Sequence, residues 1–257
     1  MTVDAQSPTG YIGLRIGKID ERRVTDYGMS YDGMYWHYTD KWLLALARAG
    51  RVEEALCIVK SVFPHFFDAG PYGNGDGGGM RWKLSVDATP PPELQRAHAS
   101  DDSLTALIVF SMLEQERAQE MPSLECELEL LRQALKVYHP RVTDDPLGWG
   151  LEALFDQFLE GHPRQTALKS LHRSALHQSH LSLPFRLYGA IMGAKVTSVA
   201  PINLVDKLVD LSLQHEQEAM RQGDEEHSSI NRVMLAMCLL SPGSLGRRPT
   251  DPLLRLN

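Results

Sequence analysis

The sequence predicts an all-α protein, a toroid-like arrangement of about five helical hairpins interrupted by a glycine-rich insertion loop. Three observations carry that expectation. Apolar residues recur at three- and four-residue steps in one segment after another. The breaks between segments fall on Gly and Pro. Within successive pairs, the first segment is apolar on more than one face and the second carries charge along one side, as an inner helix followed by an outer one would. An irregular bundle or an open solenoid of helix pairs are the alternatives.

The first pair joins Trp42, Leu43, Leu46 and Ala49 to Ala55, Leu56, Val59, Val62 and Phe63 across Gly50. The second runs from Ser103 to about Glu120 and from Leu124 to Tyr138, the latter with Glu125, Glu127, Glu129 and Arg132 along one side. A third spans Leu147 to Leu159, breaks at Gly161, His162 and Pro163, and resumes from Thr166 to about Leu176. A fourth begins near Pro184, is expected to stop at Gly193, and continues from Asn203 to Arg221 after Pro201. A fifth inner helix, Ser229 to Leu240, ends at Ser241, Pro242 and Gly243. The segments Leu104 to Met112, Leu151 to Leu159, Phe185 to Met192 and Val233 to Leu240 are the ones expected inside.

Asp32, Asp102, Asp145, Ser182 and Ser228 stand just ahead of these inner helices, loosely periodic with one long first step. Residues 68–97, the insertion, fill that step within a single domain, 1–257. Its glycine run, Gly70 to Gly79, lacks the GxGxxG spacing and the P-loop Lys-Ser/Thr ending, so it reads as a loop and not as a phosphate cradle. Trp82, Leu84 and Val86 alternate with Arg81, Lys83, Ser85 and Asp87, which suggests a short extended segment with one apolar and one polar face. Long loops in compact domains are often lids or binding loops.

Composition narrows the function. With 43% hydrophobic residues over 257 positions the chain can bury a substantial core without staples. A net charge of -7 offers no basic field for phosphate backbones or anionic membranes, so neither nucleic acid nor membrane is an expected partner. Cys57, Cys126 and Cys238 are odd in number, far apart and set among apolar or helix-forming neighbours, which reads as buried, reduced thiols and not as a disulfide or metal framework. The N-terminus has no signal-peptide pattern and no apolar run approaches the ~20 residues of a bilayer span. A cytoplasmic protein is expected.

Chemistry concentrates in the first half. Tyr27 to Trp42 gathers aromatics, a histidine, two carboxylates and a lysine, a mixture that packing alone does not need. On a helix Tyr31, Tyr35 and Tyr38 would share one face and His37 and Lys41 another. Such faces suit the apolar side and hydroxyl edges of a sugar, or a flat hydrophobic metabolite. The next inner helices open with His98, Asp101 and Asp102 and with Asp144, Asp145 and Pro146. One Asp of each pair is expected as the N-cap, leaving the other surplus to that task. If the helices curve round, Asp32, Asp101 or Asp102, and Asp144 or Asp145 meet at one mouth, where crowded carboxylates divide into acid and base. Tyr31, Tyr35, His37, Lys41, Arg81, Trp82, His98, Asp101, Asp144 and Trp149 are the substrate-binding candidates. No HExxH, CxxC or GxSxG spacing is present, so neither metal, cofactor nor acyl-enzyme chemistry is expected. His162, His172, His177 and His180 read as a solvated surface.

Gly13-Leu14-Arg15-Ile16-Gly17-Lys18, Tyr31-Asp32-Gly33-Met34-Tyr35-Trp36-His37-Tyr38-Thr39-Asp40-Lys41-Trp42 and Thr143-Asp144-Asp145-Pro146-Leu147-Gly148 resemble segments of an uncharacterised bacterial and fungal family related to six-hairpin glycosidases. The resemblance covers most of the chain and implies an (α/α) toroid. It also implies a further hairpin ahead of Gly13, which here follows only about a dozen residues. The toroid is therefore expected to be incomplete, with an open apolar flank that favours a homo-oligomer.

That superfamily contains hydrolases, lyases, epimerases and members without activity, so the resemblance speaks more to fold than to reaction. The leading expectation is a carbohydrate-active enzyme that hydrolyses glycosidic bonds of an oligosaccharide or small-molecule substrate, with acid and base drawn from Asp32, Asp102 and Asp145. A non-hydrolytic isomerase or cyclase acting on a hydrophobic metabolite, and a non-catalytic helical binding or scaffold protein, are the competing readings.

Overall fold

The structure, a computed structural model, describes residues 33–70, 78–85, 88–90, 100–136, 150, 153–160, 184–197, 202–223, 228–240 and 247–256. Most of these residues are helical. Two compact units are present, Met1–His139 with Leu256–Asn257, and Pro140–Arg255.

The first unit contains β1 (Gly33–Tyr35), α1 (Trp36–Arg48), α2 (Val52–Phe66), β2 (Phe67–Asp68), β3 (Gly79–Met80), β4 (Lys83–Ser85), α3 (Ser100–Glu116) and α4 (Glu125–Ala134). Along α1 the buried positions are Trp36, Thr39, Asp40, Leu43, Leu44, Leu46 and Ala47, one face of a 3.6-residue repeat. The helix ends where Gly50 takes φ 73. There the Gly50 N–H donates to the Ala47 carbonyl and the Arg51 N–H to that of Leu46, a Schellman closure that needs a left-handed residue. From Arg51 the chain enters α2, whose buried face is wholly apolar: Val52, Ala55, Leu56, Val59, Val62, Phe63 and Phe66.

Two antiparallel strand pairs fasten the insertion to these helices. β2 pairs with β3, Phe67 opposite Met80, and β1 pairs with β4, setting Gly33 opposite Ser85 and Tyr35 opposite Lys83. A Cβ on Gly33 would lie 2.1 Å from the Leu84 carbonyl oxygen, so only glycine admits this register. The two-faced alternation expected for residues 81–87 does not hold in β4, where Lys83, Leu84 and Ser85 are all buried. Pairing with β1 covers one side, and the Lys83 ammonium lies over the Tyr35 ring.

Trp36, fully buried, meets Phe66 and Phe110 edge-on at centroid distances of 5.2 and 6.0 Å, joining α1, α2 and α3 in one core. Every residue of α3 from Ser103 to Phe110 is buried. In α4 only Leu128 and Leu131 are buried; Glu125, Glu129 and Arg132 face water, while Glu127 turns to the Lys60 ammonium of α2 at 2.6 Å. Both helices are shorter than the periodicity suggests, α3 stopping at Glu116 and α4 at Ala134. After Glu116, Arg117 turns its guanidinium onto the carbonyls of Ala118, Gln119 and Met121. The Glu114 carboxylate accepts from Arg117, Ser123 and the Leu124 N–H, closing the loop to α4.

The second unit contains α5 (Pro184–Thr197), α6 (Ile202–Gln222) and α7 (Ser228–Leu240), each packed on the other two. Ala153, Leu187, Tyr188, Ala190, Ile191, Ala194, Leu204, Leu208, Leu235 and Cys238 form its core. Gly193 does not end α5 as expected: the helix runs through it to Thr197. A single glycine costs a helix only ~1 kcal/mol relative to Ala, and burial of Ile191 and Ala194 on either side outweighs that. The inner placement expected for all of Val233 to Leu240 is also modified, since Leu235 and Cys238 are buried while Val233 and Leu239 are exposed. The expected helix from Thr166 to Leu176 lies outside the described residues. Among the described residues, no helix is long and apolar enough to cross a membrane.

Candidate functional site

The site grows from the junction of β1 and α1. Tyr35 is the last residue of β1 and, in extended conformation, the N-cap of α1, with no side-chain cap. The Trp36 N–H instead donates to the Trp82 carbonyl at 2.9 Å, so the turn between β3 and β4 satisfies the start of the helix. That turn brings the Trp82 ring to 5.3 Å from Tyr35. His37 and Tyr38 follow at 5.2 and 5.7 Å from the same ring, and lie 4.3 Å from one another. Lys83 places its ammonium 4.5 Å from the Tyr35 centroid, a cation–π contact in a desolvated setting. Tyr35 is thus the hub of an aromatic wall whose outer member, Tyr38, is 49% exposed. Burial, and then Tyr38, push the Tyr35 hydroxyl above its ordinary pKa.

One turn on, Asp40 occupies the buried stripe of α1 with 0% exposure. Both its oxygens accept from the Lys41 ammonium at 2.9 Å. Lys41 lies four residues after His37, on the same side of the helix. Burial, reinforced by Lys41 and opposed by Asp40, holds His37 below the ordinary histidine pKa, which favours neutral imidazole.

α3 packs against α1, and its first turn carries Asp101 and Asp102. Because α3 begins at Ser100, neither of these is the N-cap expected from the sequence. Asp102, partly buried, has its carboxyl pushed up to about 7. Burial is the main cause; the charge of Asp40 adds to it, Lys41 opposes it and Asp101 adds a little more. The cluster therefore offers an acid still substantially protonated near neutrality and an imidazole free to accept a proton. Environments that push titratable groups toward opposite proton occupancy are what acid–base catalysis uses.

Of the residues singled out in the sequence, Tyr35, His37 and Trp82 meet in the aromatic group, Lys41 pairs with Asp40, and Asp102 on α3 feels the charges of Asp40, Lys41 and Asp101. Tyr35 does so as a strand residue and not as part of a helical tyrosine stripe. Arg81 is placed differently, at the C-terminal end of α2. It pairs there with Asp68 at 2.8 Å and donates to the carbonyls of His65 and Phe67, an arrangement that satisfies helix-end acceptors. Tyr31, Asp32, His98, Asp144, Asp145 and Trp149 lie outside the described residues. Tyr38, expected on an aromatic face, joins the aromatic group, and Asp40 and Lys83 are the additions. Asp40 was detectable, since it sits on the same stripe as Trp36, Leu43, Leu44 and Ala47, a carboxylate where the period demands an apolar side chain. Among the described residues no three His, Cys, Asp or Glu side chains converge as ligands for a metal ion.

No protein-family model, no curated protein and no solved structure matches the chain.

Proposed function

We propose that the chain is a carbohydrate-active enzyme of six-hairpin glycosidase type that hydrolyses glycosidic bonds, with Asp102 as its acid and His37 as its base. The observation that carries this reading is the Asp102 carboxyl pushed up to about 7 in the cluster that keeps His37 neutral. In the reaction Asp102 gives its proton to the glycosidic oxygen as the bond to the leaving sugar breaks. Water adds to the anomeric carbon and passes its proton to His37. Tyr38, 49% exposed, and Trp82 offer aromatic faces for the apolar side of a sugar ring, with the buried Tyr35 holding them in place. The (α/α) toroid belongs to the same reading, supported by the mutual packing of α1 with α2, α3 with α4, and α5 with α6.

The test is release of reducing ends from a panel of oligosaccharides. Asp102→Asn should lower kcat by roughly 10²–10⁴-fold, and His37→Gln should remove the acid limb of the pH profile. Turnover that survives both substitutions would sink this assignment. A second reading, an isomerase acting on a hydrophobic metabolite at the aromatic wall, draws support from the base being an imidazole and not a second solvent-facing carboxylate. It predicts uptake of solvent deuterium at carbon without bond cleavage.

A further inference from the structure

Three consecutive residues of the insertion bind three different helices. The Met80 N–H donates to the Ser103 hydroxyl oxygen of α3 at 2.9 Å. The Arg81 N–H donates to the Phe66 carbonyl of α2 at 2.8 Å, and the Trp82 carbonyl accepts from the Trp36 N–H of α1 at 2.9 Å. We propose that Met80–Trp82 is a brace and Ser103 a positioning residue, which holds the first turn of α3, with Asp102, in place against the first turn of α1, with His37. This inference rests on the acid–base reading above and deepens it.

Each member of the acid–base pair is one residue from an anchor of the brace: Asp102 precedes Ser103, and His37 follows Trp36. Ser103 and Met80 are both buried, so the Met80 amide depends on a protein acceptor. Ser103 also uses its hydroxyl differently from its neighbours. Thr105 and Ser111 of α3 turn theirs onto carbonyls of their own helix, those of Asp102 and Leu107, whereas Ser103 accepts from a strand outside the helix. Alanine is the better helix former; what serine adds is that acceptor. The brace is itself anchored, because a Cβ on Gly78 would lie 2.0 Å from the Asp68 carbonyl oxygen and the Arg81 guanidinium pairs with Asp68 at 2.8 Å. Since α3 packs on α1, α2 and β3, a segment fastened to all three helices fixes how the two first turns stand to one another. The bonds of Arg81 and Trp82 are backbone to backbone, so Ser103 contributes the side chain that a substitution can remove.

The experiment follows amide hydrogen exchange and the His37 ring protons by NMR in the full chain without ligand. Ser103→Ala should quicken exchange at the Met80, Arg81 and Trp36 amides together, by roughly tenfold or more, while Val59 in α2 and Leu131 in α4 keep their wild-type rates. The His37 ring lies 5.2 and 4.3 Å from those of Tyr35 and Tyr38, so its proton shifts should move as the first turn of α1 does. Ser103→Thr, which keeps the acceptor, should restore both readings. If Ser103→Ala does not fold, Ser103→Cys, close in volume with only a weak acceptor, should give the same pattern. Quickening at Met80 alone, an unmoved His37 ring, or an equal rise at every amide overturns the proposal. On a glycoside that the wild type cleaves, Ser103→Ala should lower kcat by roughly 10–10²-fold with KM little changed, and an unchanged kcat would also refute a positioning role. Exchange and ring shifts need no turnover, so a chain that cleaves no glycoside would fail the functional reading and leave the brace standing.

Discussion

Asp102 makes a prediction about stability that follows from the same proton that serves the chemistry. Its carboxyl is carried from 3.8 to about 7 by folding. Each pKa unit is worth about 1.4 kcal/mol, so ionising Asp102 should cost the folded state at most on the order of 4 kcal/mol. The folded protein binds this proton more tightly than the unfolded chain, so the penalty is absent below the ordinary carboxylate pKa, grows as pH rises toward 7, and is complete above it. Asp102→Asn should therefore match the wild type in urea unfolding near pH 4 and exceed it increasingly up to pH 8, with an unchanged m-value. A difference between variant and wild type that does not vary with pH, or that favours the wild type above pH 7, would refute the reasoning. The trade is common at catalytic sites, where a group held in an unfavourable state weakens the fold it serves.

Other groups give independent tests. The Tyr188 hydroxyl is buried and has no hydrogen-bond partner among the described residues, and burial pushes it up to about 12. Tyr188→Phe should leave stability unchanged or raise it by about 1–3 kcal/mol in thermal unfolding, and a loss of that size would mean the hydroxyl is satisfied. Of the three thiols expected to be buried only Cys238 is, its thiol pushed up to about 11, whereas Cys57 and Cys126 lie on the exposed sides of α2 and α4. Ellman's reagent should thus titrate Cys57 and Cys126 in the native protein and Cys238 only in denaturant. Burial raises the Glu114 carboxyl, but the Leu124 N–H, Arg117 and Ser123 together outweigh it and leave Glu114 below its ordinary pKa. Its stabilisation is present above the ordinary value and lost as pH falls through the folded one. Glu114→Gln should cost about 1–3 kcal/mol at neutral pH, in a chemical-denaturation series whose gap closes in acid.

The helical architecture was legible because its signals are local. The Gly50 break follows from one residue's freedom to adopt positive φ, and the wrapped α3 from an apolar run too wide for a single face. The ends of elements were less so. Gly193 reads as a stop, yet neighbouring burial holds the helix past it, and α3 ends early because Arg117 finds carbonyls beyond the helix. The site was half legible. Tyr35, His37 and Lys41 announce themselves by residue type within a short segment. Lys83 reads as a solvated residue because nothing local reveals that β1 will cover it and that the Tyr35 ring will receive its ammonium. Arg81 looks available for a substrate until the end of α2, distant in sequence, is seen to need a donor. Asp40 is less conspicuous than the aspartates at helix starts, although its place on an apolar stripe is the stronger physical signal.

The account stands on a proton at Asp102. Titration of the wild-type Asp102 side-chain carboxyl by carbon-detected NMR, assigned by its loss in Asp102→Asn, measures it directly. A midpoint near 7, together with a His37 ring that stays neutral at that pH, is the predicted result. An Asp102 midpoint in the ordinary carboxylate range would contradict the account, because the site would then hold no acid at neutral pH.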